Sequence, residues 1–319
     1  MSRVRRVCRR LALLAAGAGV ALVALAIFLR CDKTAVFYRV RGDYAGARLL
    51  EEWKLGSSRC RWVELRNDRG EAVATAYVRT PPTAPPPGTP PVRPRVLLTY
   101  AGEKTGRAML ELIPQRPDLV LVAVQYPYRR PQGALQCLRW PHDVRRAAYR
   151  TVAGGMLAVS FLAAEGVATD RVTVLGASLG SPFAVIHGAL DRRVADVMVV
   201  HGGGDLPGVA SAIERRAGRA WRAPLVAGLA AVLVDSFDPV RYAPRIAPRR
   251  LSIIASRRDR YFPVSSVRAL YDRAGEPKSL RWTDTEHVGV GKRAIVDDLV
   301  RQIEAELDSP PNAAASGRH

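Results

Sequence analysis

The chain has 319 residues, 48% hydrophobic and 24% charged, which allows a large buried core and excludes a wholly disordered chain. Its 49 lysines and arginines outnumber 29 acidic residues, for a formal net charge of +20. No helix-turn-helix, zinc-finger spacing or aromatic RNA-binding box accompanies that charge. Arginines such as Arg145, Arg146, Arg192 and Arg193 fall at strand and helix ends, so a solvated basic surface is expected and no nucleic-acid partner.

The chain opens on a basic segment, 1–10, with Arg3, Arg5, Arg6, Arg9 and Arg10. An uncharged apolar run, 11–29, follows; its 19 residues are enough to cross the hydrocarbon core of a bilayer as a helix. The preceding arginines predict a cytoplasmic N-terminus and an extracytoplasmic body. A signal anchor is the expected reading, with secretion after cleavage near Ala26 as the alternative; a lipidated Cys31 fits poorly because Phe28, Leu29 and Arg30 precede it. Of the other cysteines, Cys8 lies before the span, and the sequence leaves a Cys60–Cys137 disulfide open. The cysteine spacings match no zinc site.

A juxtamembrane segment, 30–56, is expected to precede a folded domain over 57–307. Two β-rich runs flank Asp68-Arg69-Gly70, which reads as a hairpin. The Pro-rich stretch 80–94 reads as a surface loop. Apolar β-rich runs then follow at 95–100, 119–126, 171–176, 194–200 and 250–256, with helical patterns at about 142–165, 179–190, 209–232, 264–274 and 292–307. Continuous apolar strands alternating with helices predict an α/β fold: a mostly parallel, doubly wound sheet with helices on both faces. Residues 201–240 exceed what a crossover needs and are a candidate cap, and 308–319 reads as a disordered tail.

Gly176-Ala177-Ser178-Leu179-Gly180 lies between the run RVTVL and an Ala-rich helical pattern. A serine on a tight strand-to-helix turn needs glycines on either side, and its position suits a nucleophile; the Leu179 N–H would then face a developing oxyanion. Such a serine requires an acid and then a histidine later in the chain. His287, in the loop before the last helix, is the candidate base; the other late histidine, His319, is in the tail. Asp259 follows a buried strand and is the favoured acid, with Asp205 as competitor; Asp235 and Asp238 read as turn or capping residues. His187 reads as a core histidine, His142 as a helix cap, and HGGGD at 201–205 as a turn. Gly289-x-Gly291 is too short for a phosphate loop, so neither an organic cofactor nor a metal is expected.

Taken together, GASLG, FDPVRYAPRIAPRRLSIIASRRDRYFPV and TEHVG resemble the α/β-hydrolase superfamily over roughly 60–307, in the manner of dienelactone-hydrolase-like and prolyl-oligopeptidase-like serine esterases. The resemblance implies Ser178 as nucleophile, His287 as general base and acid, and Asp259 as the group that orients the histidine. It also implies a second oxyanion donor in the loop TYAGEKTG, at Gly102 or Glu103, although that loop departs from the HGGG and HG patterns of many esterases. The expected function is carboxylic ester hydrolysis on a small or lipid-like substrate outside the membrane. An acyltransferase using the same residues, or an inactive binding module on the same fold, are the alternatives; the oligomeric state cannot be read from the sequence.

Overall fold

In a computed structural model of the chain, the structure describes residues 31–82, 94–101, 105–127, 134–289 and 291–309, together with Gly17, Gly19, Val20, Val23, Ala24, Ile27 and Phe28. The basic segment, most of the Pro-rich stretch, Gly102, Glu103 and residues 310–319 lie outside the described residues.

Helix α1 (Thr34–Arg41) leads into β1 (Tyr44–Leu55), β2 (Ser58–Asn67) and β3 (Ala72–Thr80), an antiparallel meander. The hairpin predicted around Asp68-Arg69-Gly70 forms. Gly70 takes φ +72° there, and its N–H donates to the Asn67 carbonyl at 2.9 Å. Then come β4 (Arg95–Ala101), α2 (Gly106–Leu112), β5 (Leu119–Gln125), α3 (Ala134–Ala164), β6 (Val172–Ala177), α4 (Ser181–Leu190) and β7 (Val194–Val200). After β7 lie α5 (Leu206–Arg216), α6 (Ala223–Leu233), α7 (Pro239–Tyr242), β8 (Arg250–Ser256), α8 (Val264–Arg273), β9 (Lys278–Thr283) and α9 (Arg293–Asp308).

The strands form one nine-stranded sheet in the order β1-β2-β3-β5-β4-β6-β7-β8-β9. From β5 to β9 every pairing is parallel, and β3 joins β5 antiparallel. Because side chains alternate along a strand, each central strand feeds two cores. Val197 and Val199 of β7 pack with α3 and α4, whereas Met198 and Val200 pack with α2 and α9. Burial on both faces explains the unbroken apolar runs of the sequence.

Two expectations need correction, and one open question closes. The folded body begins before residue 57: Phe37 of α1 is fully buried against Tyr149, Phe237 and Tyr242, with ring centroids 5.0, 6.0 and 6.3 Å away, and β1 is an edge strand of the sheet. The helical pattern 209–232 is two helices, α5 and α6, broken at Gly218, which takes φ +74°. The Cys60–Cys137 pairing that the sequence left open does not form, since Cys60 is a free, buried thiol. Among the described residues, Arg139–Ala164 of α3 is long and apolar enough to cross a membrane, yet 72% of its apolar window is buried, as in a core helix.

Candidate active site

The parallel strands end along one edge of the sheet, and Ser178, Asp259 and His287 gather just beyond those ends. β6 stops at Ala177, and Ser178 takes φ +51°, a left-handed conformation that costs a serine about 1–3 kcal/mol. A single 3-10 turn, Ser178–Gly180, then leads into α4. Gly176 has no room for a side chain: a Cβ there would lie 2.4 Å from the Gly180 carbonyl oxygen and 2.7 Å from the Ala184 Cβ. Gly180 is closely packed as well, its Cβ position 3.3 Å from the Tyr100 Cβ. The Ser181 hydroxyl fastens the turn by donating to the Gly176 carbonyl at 3.2 Å.

Ser178 Oγ lies 2.8 Å from His287 Nε2, and His287 Nδ1 lies 2.6 Å from Asp259 Oδ2. Asp259 stands three residues beyond β8, and His287 four beyond β9. The remaining carboxylate oxygen of Asp259 accepts the Tyr261 and Phe262 N–H groups at 2.8 and 3.0 Å. Burial by itself would raise the Asp259 carboxyl pKa. The His287 hydrogen bond and these two amides outweigh it and hold the group below its ordinary value, so it is ionised at neutral pH. With Asp259 accepting from Nδ1–H, Nε2 is left as a lone pair facing the serine hydroxyl.

The imidazole is also clamped from its sides. The Phe262 ring lies nearly parallel to it at 6.1 Å, and the Tyr261 ring meets it edge-on at 4.8 Å. The Ser256 hydroxyl donates to the Thr285 carbonyl and accepts the Arg258 N–H at 3.1 Å, tying the acid loop to the histidine loop. Arg216 of α5 donates to the Asp259 carbonyl at 2.7 Å, which fastens the 201–240 excursion to the same loop.

His201, to which the sequence reading gave no part, lies at the end of β7 with φ +47°. Its Nδ1 accepts the Val288 N–H at 2.9 Å, and its ring centroid is 6.0 Å from that of His287. Burial lowers its pKa to about 4, so the ring is neutral. His201, Asp259 and His287 place ligand-type atoms within 4.8 Å of one another. An Nδ1 that accepts requires its proton on Nε2, so His201 offers that cluster a donor in place of a metal-binding lone pair. The only sequence signal for His201 was its position directly after a strand of the parallel set.

The competing residues have other tasks. Asp205 accepts the Gly208 N–H at 3.1 Å and caps α5, and Asp238 accepts the Asp205, Leu206 and Val240 N–H groups. Asp235 pairs with Arg241 at 3.3 Å. The glycines of HGGGD serve close packing, as a turn should: Cβ atoms at Gly202, Gly203 and Gly204 would strike Ser181, Ser266 and Val240. His187 is a buried core residue whose Nδ1 lies 2.8 Å from the Tyr100 hydroxyl. His142 caps nothing; it lies exposed within α3, which begins at Ala134.

Beside Ser178 opens a cavity of about 240 Å³ that runs between the sheet and helices α2 and α9. Its wall is almost wholly apolar.

No protein-family model matches the chain, and no curated protein does. Solved structures do. Acetyl xylan esterase 1 from Thermoanaerobacterium sp. JW/SL YS485 superposes with a TM-score of 0.56 at 18% identity, over 88% of this chain and 95% of that one. An acetyl xylan esterase from Paenibacillus sp. R4 gives 0.58 at 20% identity, over 88% and 94%. A puromycin-hydrolyzing peptidase from Mycobacterium tuberculosis gives 0.54 at 19% identity, over 81% of this chain and 40% of that one. The fold is that of the α/β hydrolases. The strand-to-helix turn that carries Ser178, the elbow, follows β6.

Proposed function

We propose that the chain is a serine hydrolase of carboxylic esters, held outside a membrane by the apolar segment 11–29. The reading rests above all on the relay of Ser178 Oγ to His287 Nε2 at 2.8 Å and His287 Nδ1 to Asp259 at 2.6 Å, mounted on a left-handed serine. In the proposed reaction Ser178 Oγ attacks the ester carbonyl as its proton passes to His287 Nε2. The carbonyl oxygen becomes an oxyanion, met by the Leu179 N–H and by a second amide at Gly102 or Glu103. Collapse breaks the C–O ester bond, and the departing alkoxide takes the proton from His287 and leaves as the alcohol. Water then attacks the acyl-serine, again giving a proton to His287, which returns it to Ser178 Oγ as the carboxylic acid departs. Asp259 stabilises the imidazolium in both halves and keeps Nδ1 protonated.

Two features favour the membrane. Those residues of 17–28 that are described are helical, and Val20, Val23, Ile27 and Phe28 are at least 60% exposed. On the excursion after β7, Trp221, Leu225 and Leu229 recur every four residues and are 80, 72 and 55% exposed beside Arg219 and Arg222. Aromatic, aliphatic and arginine side chains in that pattern suit a membrane interface.

The deciding experiment treats the detergent-solubilised full chain with a fluorophosphonate, which phosphonylates an activated serine and releases fluoride. Labelling of the parent that vanishes in Ser178→Ala is expected. Absence of labelling from the folded parent would overturn the hydrolase reading in favour of a binding module.

A further inference from the structure

On the foundation of that hydrolase reading, we propose that the cavity behind Ser178 is an acyl-chain site, and that the substrates are esters of medium-length, unbranched fatty acids rather than acetyl esters. Ser178, Leu179 and Tyr126 line the cavity and stay partly open to solvent, which marks its mouth. Helix α9 supplies one long wall through Val296, Leu299, Val300 and Ile303, each at most 9% exposed. The orientation of α9 sets the depth. Val288 and Gly289, next to His287, line the mouth just before the helix begins, while its far end meets the opposite edge of the sheet. There Arg250, the first residue of β8, donates to the Glu306 carbonyl at 3.1 Å, and Arg95, the first of β4, lies 3.9 Å from Asp308. The helix therefore descends antiparallel to the strands. Seven residues separate Val296 from Ile303, a fall of about 10 Å at 1.5 Å per residue.

The cavity is thus apolar and follows α9 down from the nucleophile. An acetyl group bound to Ser178 would leave most of it empty, whereas an alkyl chain continuing from the acyl carbon would fill it. One buried hydroxyl, Thr99 Oγ1, lines it without a protein partner, and otherwise the wall offers little to a sugar or a charged acid. The alcohol half of the ester would lie outside, toward the excursion after β7.

The test is kcat/KM of the solubilised full chain on p-nitrophenyl acetate, butanoate, hexanoate, octanoate and laurate. The expected profile rises about fourfold for each methylene buried, in keeping with the transfer free energy of a methylene, peaks at hexanoate or octanoate and falls at laurate. Two variants act as a ruler along α9. Ile303→Trp, at the deep end, should lower the octanoate-to-acetate ratio at least tenfold; Val296→Trp, near the mouth, should move the optimum back to acetate. Ile303→Ala should shift it toward laurate, which guards against a tryptophan that merely disturbs folding, and fluorophosphonate labelling of each variant reports an intact Ser178. Labelling together with a flat profile or an acetate optimum in the parent overturns the acyl-chain site and leaves the hydrolase standing. Parent labelling with ratios unmoved in all three variants places the chain elsewhere and overturns the site as well. No labelling and no turnover of any ester overturns the hydrolase itself, and the acyl-chain site with it.

Discussion

The two faces of the sheet are built from the same strands and packed in opposite ways. On the α3/α4 face glycine lets helix backbone press onto the sheet. A Cβ at Gly188 of α4 would lie 2.2 Å from Val197 Cγ2, and one at Gly154 of α3 would lie 2.3 Å from the Ala74 Cβ. On the α2/α9 face Leu, Ile and Val side chains hold the helices off, and about 240 Å³ stays open beneath Ser178. One face is a rigid platform that fixes the elbow; the other keeps room for a ligand. Close packing transmits strain and tolerates little change, whereas a cavity wall absorbs added volume.

The largest expected effect follows from that contrast. Gly188→Val should cost more than about 4 kcal/mol, because backbone and sheet have nowhere to move. Leu299→Phe, on the cavity wall, should stay within about 1 kcal/mol. Urea unfolding of both variants checks this, and equal losses would erase the distinction between the faces.

The carboxyl edge, where the two faces meet, should respond to pH through His201. Its folded pKa, about 4, lies below the ordinary 6.5 because burial penalises the charged ring. A depressed folded pKa means the unfolded chain binds the extra proton. Stability from this group is therefore complete above pH 6.5 and is lost as pH falls toward 4. His201→Asn keeps an acceptor for the Val288 N–H and removes the titration. The variant's urea midpoint should fall less than the parent's between those pH values; identical slopes would assign the acid sensitivity to other groups. Asp259 adds a lower limb, since its depressed pKa gives stability that is complete above the ordinary carboxyl value and is lost as pH falls from there through the folded one.

Much of this edge was legible in the sequence, for a physical reason. Ser178 and Asp259 each follow an apolar strand, and strands of that kind are buried, parallel and end together; His287 follows the polar, partly exposed β9 and was legible only as the histidine between the acid and the last helix. β1 was not legible: its mostly exposed residues, with Glu51, Glu52 and Lys54, lack the alternation of a half-buried strand. Helix α2, at seven residues, is too short to show a period. His201 was hidden by its neighbours, since three glycines after it announce a turn and say nothing of the ring. The cavity was hidden more deeply, because its volume depends on how far α2 and α9 stand from the sheet, a distance no local pattern encodes.

Strain at the elbow offers a finer test. Ser178 stands at φ +51°, where glycine bears no steric penalty. Ser178→Gly should therefore abolish turnover and yet raise stability by about 1 kcal/mol, the strain released less the added entropy of an unfolded glycine. Side-chain addition at the platform glycine Gly188 acts in the reverse sense. A destabilised Ser178→Gly would mean that the serine's hydrogen bond to His287 outweighs its backbone strain.

The smallest effect belongs to Thr99, whose β4 position places a partnerless hydroxyl on the cavity wall, in a residue only 1% exposed. In a dry cavity that hydroxyl is a liability, and Thr99→Val, of nearly the same shape, should raise stability by about 0.5 kcal/mol, the low end of the cost of an unpaired hydroxyl. The same change should improve kcat/KM on octanoate more than on acetate, because a chain that continues past the acyl carbon has more surface to lay against the altered wall. A loss of stability would show instead that an ordered water satisfies the hydroxyl, since a polar lining is what a buried water needs. The chamber would then be wet at its upper end, and the alkyl chain would have to displace that water to enter.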